Sequence, residues 1–314
     1  MKNSFETLTT LQELDVKREE LKAKRNTWLF VYFLIPALII FLTLFSGVIQ
    51  LAIISAVISI SASFALYKYN FKTPFRYLTE QVKSALLGEF MRIYHPSILH
   101  EYIGTDHLAE PIVESSGLIS ADRYIEEDVI TGIKGNTRFY LSEVDLQERY
   151  KTKNGSSYRS IFKGLLFKIN LKGRSFPKSQ LYSQPNMFKK WFGSINKNED
   201  YGFWYETQNS SKFHKEMQSL FPFIRHLSKK GEVRISAQGD TITILMESNM
   251  KFLDDPEFFI NRSFENENYY AKMSQQMNSL LFIIDSFTDE LTPIEIEEEL
   301  KLRVIEYADK NHAN

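Results

Sequence analysis

The chain has 314 residues, enough for one large domain or two modest ones, and 43% of them are hydrophobic, which excludes a wholly disordered chain. It contains no cysteine, so disulfide scaffolds, thiolate zinc sites and thiol nucleophiles are excluded. Lys+Arg 38 against Asp+Glu 39 gives a formal charge of -1, but that charge is distributed very unevenly.

Residues 5 to 25 read as a solvated helix in which Leu8, Leu11, Leu14 and Leu21 form a thin apolar stripe among mixed charges. From Trp28 to Tyr67 there are 40 residues without a charged side chain. A spanning helix needs about 20 apolar residues, and Ser46-Gly47 falls near the middle of this run. The pattern predicts a two-helix transmembrane hairpin over 28–67, after a cytoplasmic N-terminal helix over 1–27. Lys17, Arg18, Lys22, Lys24 and Arg25 precede the hairpin; Lys68, Lys72, Arg76 and Lys83 follow it. Positive-inside logic then predicts a multi-pass inner-membrane protein with both termini cytoplasmic. Ser55, Ser59 and Ser63, beside Ala52 and Ala56, would let the two helices approach closely.

Residues 73–125 read as a helical connector. Thr73-Pro74 is a helix start, and Phe75, Leu78, Val82, Ala85, Leu86 and Phe90 follow on one face. His95-Pro96 ends that helix. The next stretch gathers His95, His100 and His107 with Glu101, Asp106 and Glu110, the one place where metal ligands collect. Their spacing fits no one-face helical site, so a polar interhelical loop is expected and no metal is assigned.

From Asp128 the period changes to two. Asp128–Lys134, Thr137–Tyr150 and Tyr158–Lys172 are predicted strands, joined at the hairpin dipeptides Gly135-Asn136 and Asn154-Gly155. Further strands are expected at Tyr201–Glu206, Glu232–Ala237 and Thr241–Glu247, with a helix at Ser211–Ser228. The fold class is therefore membrane-anchored α+β: the hairpin, then an antiparallel meander sheet packed with helices, with a β-rich cytoplasmic domain over 126–250. Acidic helices are expected over 254–308, with Met273, Met277, Leu280, Leu281 and Ile284 along one face.

The strings Glu127-Asp128, Gly132, Phe139-Tyr140-Leu141-Ser142-Glu143-Val144 and Ile161-Phe162-Lys163-Gly164-Leu165-Leu166-Phe167 together carry a family resemblance. So do Glu114-Ser115-Ser116-Gly117-Leu118 and Leu281-Phe282-Ile283-Ile284-Asp285. The chain resembles a bacterial membrane-anchored family catalogued as domain of unknown function 3137. The region Asn196 to Ser211 departs from that pattern and leaves the edge of the sheet undefined. The resemblance implies no reaction; it implies a membrane-complex partner of the LemA type.

Chemistry-bearing motifs are sparse. Gly132, Gly135 and Gly164 read as turn or bulge positions, and no phosphate-binding glycine loop is present. Ser160 and Lys163 form an S-x-x-K pair, but in a strand rather than at a helix start. Glu126, Glu127 and Asp128 read as a solvated strand entry. Charge is the stronger signal: residues 134–197 hold 14 Lys/Arg and 3 Asp/Glu, a charge of +11, whereas 254–309 hold 4 and 14, a charge of -10.

Within the basic segment, Phe188, Lys189, Lys190, Trp191 and Phe192 combine apolar wedges with two lysines and form the predicted lipid- or partner-binding site. The bland reading puts the three aromatics in the core. The sequence points to a module that binds a protein or the anionic inner leaflet, with no cofactor and no nucleic acid. A membrane-tethered hydrolase or transferase, with a site near His95–Glu110 and Glu126–Asp128, is the alternative.

Overall fold

The computed structural model describes residues 2–45, 49–104, 107–153, 155–184, 196–197, 203–205, 213, 217–228, 231–248 and 277–287. The chain divides into two compact units, one comprising 1–90 with 255–272, the other 91–254 with 273–314.

The first unit is helical. Helix α1 (Lys2–Phe45) runs unbroken through Asn26-Thr27, joining the charged and apolar stretches that the sequence reading had separated. Leu14 and Arg18 are buried on it, and the Arg18 guanidinium is held by Asp15 at 2.8 Å and Glu19 at 2.5 Å. A second helix, α2 (Ile49–Tyr67), packs against α1. The small-residue stripe faces that contact: Ser59 is buried, and Ser55 Oγ lies 3.1 Å from Thr43 Oγ1 on α1. Asn70, in the π-helical turn Lys68–Lys72, donates to the Tyr32 hydroxyl at 3.1 Å. Arg25 lies 5.7 Å from the centre of the Phe71 ring. The chain then continues into α3 (Thr73–Tyr94), whose Leu78, Val82, Leu86 and Phe90 are buried as their spacing predicts.

The transmembrane hairpin does not survive. Among the described residues, no helix is long and apolar enough to cross a membrane. The uncharged run is divided between the end of α1 and the whole of α2, whose 19 residues cover about 28 Å at helical rise. The hydrocarbon layer requires about 30 Å. The count of 40 uncharged residues measured absence of charge over the whole run rather than the length of any one apolar helix. The transmembrane hairpin, the membrane-anchored part of the fold class and the multi-pass inner-membrane placement are corrected accordingly.

The second unit is the α+β body that the change to period two predicts. Its sheet contains β1 (Ile98–Gly104), β2 (Arg123–Lys134), β3 (Thr137–Thr152), β4 (Gly155–Leu171) and β5 (Phe176–Tyr182). The two-residue strands β6 (Asn196–Lys197) and β7 (Trp204–Tyr205), then β8 (Val233–Gly239) and β9 (Thr241–Glu247), complete it. All pairs are antiparallel, in the order β1-β2-β3-β4-β9-β8-β5-β7-β6. Three strands escape the sequence reading, β1, β5 and the two-residue β6. Strand β1 occupies the stretch expected to be an interhelical loop, and β5 follows the Gly173 turn without a signal strong enough to be assigned.

Between β1 and β2, α4 (Ala109–Ser116) lies on one face of the sheet and ends at Gly117, whose φ of 66° is the left-handed conformation that favours glycine. With Val129, Tyr140, Val144, Leu146, Phe162, Leu166 and Leu245, it closes one apolar core. Helix α5 (Phe221–Leu227) and a helix over 277–285, α6, contribute Phe223 and Phe282, whose rings meet edge to face at 4.9 Å. Lys134 is held by Asp285 on α6 at 2.8 Å.

The β3–β4 hairpin is longer than its neighbours. Strand β2 follows β3 only as far as Gln147, and β9 follows β4 only from Gly164. The ribbon from Glu148 to Arg159 therefore pairs only with itself among the described residues.

Gly164 is needed for close approach rather than for a turn. A Cβ there would stand 2.1 Å from the Met246 carbonyl oxygen and 2.7 Å from the Ser248 nitrogen, both backbone atoms that cannot move aside. Gly132 is similar in kind, with the Phe139 ring lying over it. Gly164→Ala is expected to destabilise the fold by about 1–3 kcal/mol or more. Urea denaturation measures this directly, and an unchanged midpoint would refute the packing argument.

Candidate functional site

The five residues predicted to form a binding wedge, Phe188, Lys189, Lys190, Trp191 and Phe192, lie outside the described residues, as does Asp106. The remaining histidine-rich stretch is drawn into the fold. His95 Nε2 lies 2.9 Å from Asn278 Oδ1 on α6, and His100 Nδ1 lies 3.4 Å from the Ile98 carbonyl on its own strand. His107 sits in the left-handed region at φ 62°. Among the described residues, no group of three His, Asp or Glu side chains is arranged to hold a metal.

Two of the acids of the alternative enzymatic site, Glu126 and Asp128, are separately engaged. Strand β2 carries a bulge between Glu127 and Ile130, with Asp128 at φ 54°, a conformation that aspartate tolerates better than most residues. Glu126 is 4% exposed; it accepts the Tyr140 hydroxyl at 2.5 Å and the Ala109 backbone N–H at 3.3 Å. It thus places a carboxylate at the N-terminus of α4, where the helix dipole favours negative charge. Asp128 is equally buried and accepts the Tyr102 hydroxyl at 2.7 Å. These are buried structural contacts, not the solvated strand entry the sequence suggested.

An open cleft of the second unit lies beside α4. Among the described residues, helix α4 covers only part of its face of the sheet. The uncovered part forms a cleft of about 1060 Å³, lined among others by Leu99, Ile133, Arg138, Lys168, Asn170 and Lys172. The pairing register explains this composition. Leu99 stands opposite Ile133, Ile133 opposite Arg138, Arg138 opposite Asn170, and Asn170 opposite Thr241. One row across the sheet therefore grades from apolar at the β1 edge to cationic and polar at its centre. The next row, Glu101, Thr131, Tyr140, Lys168 and Thr243, runs parallel to it on the same face.

The cations of this face are unneutralised. Arg138 and Lys172 are exposed and Lys168 is half-buried, and none of the three has an ion-pair partner among the described residues. Lys168 and Lys172 flank Asn170 at i±2 on one strand, and Arg138 faces Asn170 from the next. Glu101 lines the cleft on the edge strand, and Asp240 lines it at the β8–β9 turn, where its carboxylate accepts the Thr241 hydroxyl at 3.1 Å. Leu108 and Pro111, at the start of α4, form the apolar wall, with Leu108 43% exposed and Leu99 73% exposed.

Sequence reasoning missed this site although it flagged the basic segment that contributes to it. The positions 168, 170 and 172 visibly share a strand face. What brings Arg138 beside them is the β3–β4 register, and what leaves them uncovered is the short length of α4.

No protein-family model matches the chain, and no curated protein matches it.

Two predictions follow from the buried polar groups. Glu126→Ala leaves the Tyr140 hydroxyl and the α4 N-terminus without their acceptor, so a loss of about 1–3 kcal/mol is expected. Adding Tyr140→Phe should recover part of that loss, and additive effects in urea denaturation would contradict the coupling. Near this contact, the Tyr124 hydroxyl is buried with no well-formed hydrogen bond among the described residues, and the Ala121 backbone only partly offsets that burial. Burial, more than the nearby Glu114, Glu110 and Asp122 carboxylates, pushes its phenol above the ordinary value. The folded state then holds that proton more tightly than the unfolded state, so stability present below about pH 10 is lost as pH rises. Tyr124→Phe should be neutral or stabilising near pH 7 and should reduce the alkaline loss, as thermal unfolding at several pH values would show.

Proposed function

We propose that the second unit is a binding module that holds a negatively charged segment of a partner protein on the uncovered face of its sheet. The observation that carries this reading is the cleft itself: Arg138, Lys168 and Lys172, without an ion-pair partner among the described residues, beside exposed Leu99, Ile133 and Leu108. Apolar surface next to unneutralised charge suits a ligand that is both acidic and partly hydrophobic. The free outer edge of β1 at the apolar end adds backbone groups that an extended segment could pair with, since β1 has one strand neighbour among the described residues. The buried acids near α4 support a binding role over catalysis, because each already holds a tyrosine hydroxyl.

The test uses the full chain and a fluorescein-labelled peptide of alternating Leu and Glu, with a Leu–Lys peptide as control. The acidic peptide should bind, and binding should weaken as salt rises from about 0.05 to 0.5 M. Arg138→Glu with Lys168→Glu should reduce affinity at least about tenfold, because like charges then face the ligand. Equal binding of both peptides, or no effect of the double charge reversal, would reject the proposal.

A further inference from the structure

We infer that the anionic group recognised at the centre of this cleft is a phosphate monoester carried by a polypeptide, as in a phosphorylated serine. The inference rests on the binding reading above and names the chemistry of its charged end. Arg138, Lys168 and Lys172 surround Asn170 on one sheet face, the first directly across from it and the other two at i±2. Cross-strand neighbours on one face stand about 5 Å apart at Cβ and diagonal neighbours about 7–8 Å, so these long side chains can converge on one position. Three cations sharing that space repel one another. No carboxylate is within ion-pair distance of any of them among the described residues.

A single carboxylate neutralises one of the three charges. A phosphate monoester carries about -1.5 to -2 near neutral pH and offers three acceptor oxygens. It therefore matches a cluster of one guanidinium and two ammonium groups better than a glutamate does. Arg138 supplies the planar fork suited to phosphate oxygens, and the lysines act as point charges on either side. The Asn170 amide, 3.4 Å from Thr241 Oγ1, adds a neutral polar group beneath them. Along the same row, Ile133 and Leu99 provide an apolar floor for the residue next to the phosphorylated one. A cleft open along the sheet, with a free strand edge at its apolar end, favours a polypeptide over a compact small molecule. Asp240, at the rim, opposes anion binding and sets a limit on affinity.

The experiment measures binding of acetyl-Leu-phosphoSer-Leu-amide to the full chain by calorimetry, against the same tripeptide with Glu or Ser at the centre. The phosphorylated peptide should bind at least about tenfold more tightly than the Glu peptide, and the Ser peptide should not bind measurably. Lys168→Ala, Lys172→Ala or Arg138→Ala should each remove most of that preference, while Lys168→Arg should keep it. Asp240→Asn should raise affinity, a gain that damage to the fold cannot mimic. Equal binding of the phosphorylated and Glu peptides, both lost on charge reversal, would overturn the phosphate inference and leave the acidic-segment reading standing. Failure of all three peptides and of the Leu–Glu peptide would overturn both. Tighter binding of soluble dihexanoyl phosphatidic acid than of the phosphopeptide would reassign the site to lipid and also overturn the inference.

Discussion

The Glu126 carboxylate is the contact on which the layout of the second unit depends. A buried charge is costly unless it is fully paired, and Glu126 is paired by the Tyr140 hydroxyl from β3 and the Ala109 N–H at the start of α4. One side chain on β2 thereby fixes a helix and an adjacent strand. Because Tyr140 is committed to Glu126, the boundary between covered and open sheet falls at this residue. Beyond it the face belongs to Arg138, Lys168, Asn170 and Lys172. The cleft is what remains when an eight-residue helix covers a wider sheet.

The two units also differ in how they treat charge. In the helical unit, Arg18 is buried on α1 with Asp15 and Glu19 beside it, so local pairs accommodate it. In the sheet unit, Lys134 is satisfied across elements by Asp285 on α6. The cluster around Asn170 differs from these two cases, because among the described residues none of its three cations has an ion-pair partner. Surface lysines in isolation carry little meaning. Three cations brought together by strand register, on a face walled by apolar side chains, are the feature on which the proposed binding role rests.

Much of the sheet was legible. The alternation over Thr137–Tyr150 and Tyr158–Lys172, with Asn154-Gly155 between, marked the central hairpin, and the stretches Glu232–Ala237 and Thr241–Glu247 marked β8 and β9. Strand β1 was not legible, because Leu99, Glu101 and Ile103 alternate with Ile98, His100 and Tyr102, so neither face reads as apolar. The burial of Glu126 and Asp128 was hidden by a bulge, which breaks the alternation on which the sequence argument relied. The membrane assignment failed because counting uncharged residues is not the same as measuring one apolar helix against a bilayer. The cleft was hidden for a different reason: it depends on which strands are neighbours, and sequence spacing along one strand does not determine that.

Among the described residues, the β3–β4 ribbon beyond Gln147 has two backbone edges without strand neighbours, and such edges invite pairing with other chains. Arg149, Lys151, Lys153 and Arg159 populate this ribbon, and all four are exposed. Two ribbons meeting edge to edge would bring these cations together, and the Arg159–Glu148 pair at 2.8 Å offsets only one of them. The length of the hairpin, which ordinarily would be a hazard for self-association, is thus tolerated because the ribbon repels its own copies. Neutralising those residues would expose an aggregation-prone edge without altering a single buried contact in the sheet.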